Sequence, residues 1–462
     1  MAESDASFTA QPPVTIPRQL LIVSPHFPPI NAPDHQRVRM SLPYLAEFGW
    51  RAHVLAVDPA LITGTIDPGL STTIPPETPI TWSHALPLPI ARCLGLKGIA
   101  YRALFHLYRD GLRLLRRHPC QLVYFSTTLF PVMALGPLWQ RRLGIPYVLD
   151  FQDPWRRSWS EILQTRVVPG NRIKYLFSHI PPHLLEPWIV RHASHLICNS
   201  AAYRDTFLRR YVNVKPERIS VLPFGVPTRD FAHIAQNAPE NRFFNHDDGT
   251  RNWVSLGASN ASMAYGYRVL FTALHTERAS DPEGWRSVRL HFIGTSYGPG
   301  DRAEFTVLPI ARELGVADMV QEHPHRIPYF LGLRILTESD LLLMVGSDNA
   351  GYSASRTATL LYSRRPILGI LRAEAPVTDL LRDNPANRVG IFDPNGDLEK
   401  TVADLRPHLR HFLRADRKQE AAPPDLVRFA PLTARFMTEQ QCLLFDQVAG
   451  GGRRLPSLVR DG

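Results

Sequence analysis

Short apolar runs and amphipathic stretches alternate along most of this chain, and their order is the first guide to its architecture. Gln19 to Ser24 (QLLIVS) is a compact apolar run that stops at a proline-rich turn, as a buried strand does. A helical pattern follows from about Asp34, is interrupted by Pro43 and stops at Gly49, and Trp50–Asp58 (WRAHVLAVD) returns to strand character. The alternation recurs through Leu122–Ser126, a helix ending at Gly144, then Pro146–Phe151, Ser194–Ser200 and Arg218–Gly225. Repeated units of this kind predict a parallel sheet covered by helices on both faces.

From 226 to 250 the pattern lapses into polar residues, as an interdomain linker would. A second series then runs through NWVSLGA, a helix containing Arg268, VRLHFIGT, MVQEHPH, DLLLMVG, a helix over SRTATLLYS, PILGIL and RVGIFD. The reading is an α/β chain with two Rossmann-like domains, 18–225 and 251–430, joined by a linker at 226–250. A polar leader (1–17) precedes them, and a helix with a tail (431–462) follows. The 462 residues suit two cores, since single cores stop growing near ~250–300 residues. In doubly wound sheets ligands bind beyond the C-terminal ends of strands, so residues just after strands are the informative ones.

A net charge of +10 and a pI near 9.6 imply attraction to anions. The arginines are dispersed through the β-α units with no reader motif, which argues against nucleic acid. Cys93, Cys120, Cys198 and Cys442 have no metal-ligand or disulfide-framework spacing, so a reducing, cytoplasmic setting is expected. The N-terminus shows no signal-peptide pattern, and no run of about 18 apolar residues follows. Residues 94–118 carry Lys97, Arg102, Arg109, Arg113, Arg116 and Arg117 against a single acid, Asp110, with apolar residues between. They read either as a helix lying on an anionic membrane, which would make the protein peripheral to it, or as a crossover helix with a solvated basic face.

Two small-residue turns follow strands of the second series, Gly257-Ala258-Ser259 and Gly294-Thr295, where a backbone can come close to a phosphate. The alternative is a tight βα turn. Tyr352-Ser353-Ala354-Ser355-Arg356 opens a helix after DLLLMVG; Ser353 or Ser355 can cap it while Arg356 adds a cation. In the first series Asp150 and Asp153 follow a buried strand, where a carboxylate can orient a hydroxyl or accept its proton, or simply cap the next turn. His26 and Arg37, with Arg39, are candidate ligand contacts in and after the first loop, or structural groups. Trp155 and Trp159 can stack on a sugar, touch lipid or fill core.

Four strings, IVSPHFPP, GIPYVLDFQDPW, ICNSAAYRDTFLRRY with ISVLPFGV, and GYSASRTATLLYSRRPILGI, resemble in order and spacing the GT-B glycosyltransferases. The similarity is greatest to the large retaining, family 4-like group of bacterial polysaccharide and glycolipid transferases. It implies two Rossmann-like domains facing each other across a cleft, with the last helix packed back on the N-terminal domain. It implies a nucleoside diphosphate sugar as donor, a saccharide or lipid-linked acceptor, and retention at the anomeric carbon. No metal or other cofactor is expected, with Arg268 and Arg356 stabilising the leaving diphosphate and Asp153 at the reacting hydroxyl. Relatives carry a motif like SxSKxxEYL whose glutamate holds the ribose hydroxyls; here Thr359 stands at that position. The glycine-rich first loop of relatives is replaced by Ile30-Asn31-Ala32-Pro33-Asp34-His35-Gln36-Arg37. These departures leave two alternatives to a transferase: a non-catalytic homologue acting as an assembly partner, and a nucleotide-sugar epimerase of the same architecture.

Overall fold

The computed structural model describes residues 17–450 except 94, 97, 165–174, 177, 246, 297–302, 349–355, 376, 417–420 and 422–428. The N-terminal domain follows the order β1 (Arg18–Val23), α1 (Gln36–Ser41), β2 (Trp50–Val57), β3 (Ile80–Ser83), α2 (Leu88–Cys93), α3 (Ile99–Arg117), β4 (Leu122–Ser126), α4 (Leu135–Leu143) and β5 (Tyr147–Phe151). It continues with α5 (Trp159–Gln164), α6 (Ile180–His192), β6 (His195–Cys198), α7 (Ala201–Arg210) and β7 (Ile219–Val221). All seven strands are parallel in the order β3-β2-β1-β4-β5-β6-β7. The apolar runs face both ways: Leu21, Val23, Val123 and Phe125 enter a core with α3, α4 and α6, while Leu20, Ile22, Leu122 and Tyr124 enter the opposite one. Strand β3 was not anticipated; ITWS is too short and too polar to stand out by pattern.

The polar segment predicted as a linker is partly helical. Val226 bridges to Thr433, and α8 (Thr228–Gln236) follows directly. Its buried Ile234 joins a core of the second domain, so polar appearance concealed a one-sided helix. That domain runs β8 (Arg251–Leu256), α9 (Ala264–Ser280), β9 (Val288–Ile293), α10 (Leu308–Glu313), β10 (Val320–His323), α11 (Tyr329–Glu338), β11 (Leu341–Val345), α12 (Thr357–Tyr362), β12 (Ile367–Arg372), α13 (Val377–Arg382), β13 (Arg388–Phe392) and α14 (Leu398–Arg414). Its six strands are parallel in the order β10-β9-β8-β11-β12-β13.

The final helix, α15 (Ala434–Val448), lies on the N-terminal sheet. Met437 and Phe445 pack among Leu20, Trp50 and Tyr124, Ser41 donates to Gln441, and Asp446 accepts from the Trp50 indole at 2.8 Å and pairs with Arg18 at 2.7 Å. Among the described residues no helix is long and apolar enough to cross a membrane.

Candidate active site

A cavity of about 680 Å³ lies between the two sheets, lined from both domains by residues just beyond strand C-termini. The N-terminal wall includes Asn31, Pro33, Gln36, Thr128, Gln152, Asp153, Asn199 and Tyr203. The C-terminal wall includes Gly257, Ala258, Gly294, Arg326, Arg356 and Thr359, and an aliphatic recess of Leu256, Ile293, Ile327, Leu333, Leu336 and Leu360.

The C-terminal wall is shaped by two glycines with positive φ, Gly257 at 110° and Gly294 at 72°. A side chain at 257 would also collide with the Arg356 guanidinium, which donates to the Leu256 carbonyl. The amides of Gly257, Ser259 and Gly294 are themselves engaged, donating to Ile293, Thr295 and His323 at 2.7–2.8 Å. These turns therefore supply room for a ligand beside Arg356, while their own donors hold neighbouring loops together. Ser259 and Thr295 are buried and do not line the cavity. Thr295 donates at 2.6 Å to Glu322, which also collects the amides of Thr306, Val307 and Leu308 ahead of α10. Tyr352, Ser353 and Ser355, proposed with Arg356 from the sequence, lie outside the described residues, as does the leader through residue 16.

Arg268 is a correction. It stands on the outer side of α9 in a two-pronged pair with Glu313, at 2.7 and 2.8 Å, and has no place in the cavity lining. Helix rotation explains this. Gly266 presses on β11, where a side chain would meet Val345, and two residues further on the helix has turned about 200°.

On the N-terminal side the structure also revises Arg37, Asp150 and Arg39. Arg37 and Asp150 are fully buried and paired at 2.9 Å. Arg37 donates further to the Leu222 and Pro223 carbonyls, and Asp150 accepts from Tyr124 and Ser126. This pair holds α1 to the ends of β4, β5 and β7 and offers nothing to an acceptor. Arg39 is equally buried. It forks onto Asp230 of α8 at 2.9 and 2.6 Å, and the Tyr329 hydroxyl of α11 donates to the same carboxylate.

Asp153 does line the cavity. Asn199 donates to the Gln152 carbonyl at 2.6 Å and Tyr203 to the Asp153 carbonyl at 3.0 Å, which sets the loop carrying the carboxylate. Desolvation, with repulsion from Asp34, raises the Asp153 carboxyl above its ordinary value. Asp34 is buried beneath it. Burial alone would raise that carboxyl, but the hydrogen bond and charge of His26 and the Thr127 hydroxyl outweigh it and hold it below the usual range. His26 does not line the cavity; its Nδ1 sits 3.0 Å from Asp34. Trp155 stacks on Phe130 at 5.4 Å within the core, and Trp159 on His183 at 4.5 Å, half exposed.

The first loop and the segment after β2 both reach the second domain. Asn31 reaches across the cleft to donate to the Ile327 carbonyl at 3.1 Å, and the Tyr329 amide donates to Asp67 at 2.7 Å. Asp34, Gln152, Tyr203 and Arg326 escaped notice in the sequence. Arg326 could have been found, since it follows strand β10 in HRIPYF; the others show their roles only once folded.

Residues 35–225 match the model of the glycosyl transferase 4-like domain. The fold is that of the GT-B glycosyltransferases. No characterised protein sequence matches the chain. Among solved structures it is similar to the N-terminal domain of Candida albicans trehalose-6-phosphate phosphatase, with TM-score 0.60, 14% identity, and 96% of this chain and 99% of that one covered. It is similar to Anabaena HepE in complex with UDP and glucose, with TM-score 0.55, 14% identity and coverage of 93% and 100%. A putative UDP-N-acetylglucosamine 2-epimerase from Listeria monocytogenes follows, with TM-score 0.53, 11% identity and coverage of 96% and 100%. The glycosyl transferase 4-like match covers most of the N-terminal wall of the cleft, from His35 just before α1 to Gly225 beyond β7, and leaves Asn31 and Pro33 outside it.

Proposed function

We propose that the chain is a glycosyltransferase moving a sugar from a nucleoside diphosphate donor to a saccharide or lipid-linked acceptor, in surface polysaccharide or glycolipid assembly. The observation that carries this is the make-up of one cavity: Arg356 beside Gly257 lines it from the C-terminal domain and the Asp153 carboxylate from the N-terminal domain, together with aliphatic side chains. Charge builds on the leaving diphosphate as the glycosidic bond breaks, and a fixed guanidinium in a partly dry cleft stabilises it. No metal is needed for that role. Asp153 orients the acceptor hydroxyl, and retention follows from the resemblance, with the leaving phosphate taking the acceptor's proton. Incubation with UDP-, GDP- and dTDP-sugars and lipid-linked acceptors tests the assignment. Transfer supports it; epimerised donor without acceptor favours the epimerase reading, and neither activity favours a non-catalytic homologue.

The acceptor side is suited to an anionic membrane surface. Six of the thirteen large apolar side chains exposed among the described residues lie on α3, α4 and α6: Tyr101, Phe105, Leu138, Ile180, Leu184 and Trp188. Arg109, Arg113, Arg116 and Arg117 accompany them on α3, whereas Arg102 is buried against the Leu86 and Leu61 carbonyls. Co-sedimentation with phosphatidylglycerol vesicles should be lost on Phe105→Ser with Leu184→Ser; unchanged binding would contradict the surface.

A further inference from the structure

The first turn of α11 is completed by the other domain. A helix start leaves amides without intrahelical partners, and a side chain at the cap ordinarily takes one of them. Pro328 occupies the cap of α11 and supplies no such oxygen. The Tyr329 amide instead donates at 2.7 Å to the buried carboxylate of Asp67, in the segment of the N-terminal domain that follows β2. A carboxylate suits that place, since the amides of a helix start carry partial positive charge. Asn31, which donates to the Ile327 carbonyl, comes from the same patch. Ile30 and Ile66 form a bridge there, the Asn31 amide donates to the Thr65 carbonyl at 2.8 Å, and the Asp67 amide donates to the Pro29 carbonyl at 2.7 Å. One small ladder therefore presents both bonds to the second domain.

The stretch that receives these bonds is also cavity wall. Arg326, Ile327, Pro328 and Tyr329 line the cavity, and Leu333 continues the lining along α11. Asp67 is not among the lining residues. Packing joins the same two segments: a carbon added at Gly69 would meet the Phe330 ring at 3.2 Å, and the Arg39 guanidinium lies 4.7 Å from the centre of the Tyr329 ring. Asp67 thus bears on the wall from outside the cavity, and what it fixes is the place of that wall against the domain that carries Asp153.

We propose that Asp67 is a positioning residue for sugar transfer: it touches no substrate, and through Tyr329 it holds the donor-side wall where transfer to an acceptor at Asp153 requires it. The role rests on the reading of the cavity as a transferase site with donor and acceptor on opposite walls. In the step the acceptor oxygen bonds to the anomeric carbon as the bond from that carbon to the diphosphate breaks, and the electron pair leaves with the phosphate, which takes the acceptor's proton. Reacting atoms held on two domains must come within about 3–3.5 Å, and a displacement of about 1 Å costs about a hundredfold in rate. Moving one wall leaves each substrate's own contacts intact, so the loss falls on kcat and not on KM.

Full-length Asp67→Ala is compared with Asp67→Asn, whose carbonyl oxygen can still accept from the Tyr329 amide, and with Asn31→Ala. With the donor and acceptor found by incubation, kcat of Asp67→Ala should fall by about ten- to a hundredfold while the donor KM stays within about twofold. Asp67→Asn should recover most of that loss, and Asn31→Ala should show a smaller loss of the same kind. Hydrogen exchange gives a reading independent of turnover: the Tyr329 amide should be protected in the wild type and exchange at least about tenfold faster in Asp67→Ala, with the amides of β8 and β11 unchanged. Unchanged kcat in Asp67→Ala overturns the proposal, and so does a freely exchanging Tyr329 amide in the wild type. Faster exchange throughout β8 and β11 also overturns it, because Asp67 would then be a support of the fold. A wild type that turns over no donor overturns instead the transferase reading on which the role rests, whatever the exchange at Tyr329.

Discussion

The two walls of the cleft are built on opposite plans. On the N-terminal wall charged groups are abundant but mostly committed: Arg37 to Asp150, Arg39 to Asp230, Asp34 to His26. Only Asp153 among the predicted acceptor-side charges faces the cavity. Among the described residues of the C-terminal wall polar groups are few, and glycines with aliphatic side chains line the cavity with Arg356. One wall is paired scaffold with the Asp153 carboxylate projecting from it, and the other, among its described residues, joins aliphatic side chains to two cations, Arg356 and Arg326. Charge alone is thus a poor guide to function here; whether the charge is already paired decides.

The largest test of this contrast is Arg37→Met. Breaking a buried pair by removing one partner strands the other charge, at a cost of about 3–5 kcal/mol. Urea denaturation should show a loss of that order, and Arg37→Met with Asp150→Leu should recover much of it. If Arg37→Met leaves stability intact and removes only acceptor use, the pair is functional and the contrast fails.

Asp153→Asn should act the other way. Acceptor use should fall by about a hundredfold, the order by which a misplaced reactant slows a reaction, while the fold gains slightly at neutral pH. The sign follows from the raised carboxyl. The ionised form is disfavoured in the folded state, so the gain appears as pH rises through the folded pKa and vanishes below the unfolded value. Asp34→Asn has the opposite signature. Its lowered carboxyl contributes stability above the ordinary value near 3.8 that is lost as pH falls through the folded pKa. Chemical denaturation of each variant across pH 3 to 7 separates the two, and curves of the same sign would refute the assignment.

Arg356→Ala should lower nucleoside diphosphate affinity by about ten- to a hundredfold, the worth of a charge-assisted hydrogen bond, with a much smaller effect on stability. Calorimetry gives the first and urea titration the second. A variant that loses several kcal/mol of stability yet binds normally would make Arg356 a structural clamp on the Leu256 carbonyl.

The architecture was legible because both parallel sheets demand apolar runs at each strand, and such runs survive any choice of side chain on the surface. The candidate site was legible where position along the chain fixes position in space, as for Gly257, Gly294 and Asp153 just after strands and Arg356 at the start of α12. It was not legible where pairing decides. Arg37 and Arg39, two residues apart on a six-residue helix, look solvent-facing, yet their partners at 150 and 230 are far off in sequence. Asn31 owes its cross-cleft bond to a residue almost three hundred positions away. Short-range pattern contains no information about such partners.

Arg268 gives the smallest effect and the cleanest discrimination between the two kinds of cation. By sequence it resembles Arg356: each follows a strand of the C-terminal domain and sits at the start of a helix. In the fold Arg356 crosses Gly257 towards the cavity, while Arg268 is turned to the outer surface and held by Glu313 on α10. An exposed pair of this kind contributes little to stability, and a guanidinium outside the cavity adds nothing to a ligand within it. Arg268→Ala should therefore leave nucleoside diphosphate affinity within twofold of wild type under the same calorimetric conditions that expose Arg356→Ala. A tenfold loss would mean that α9 rotates on donor binding and brings Arg268 into the cleft as a further functional cation.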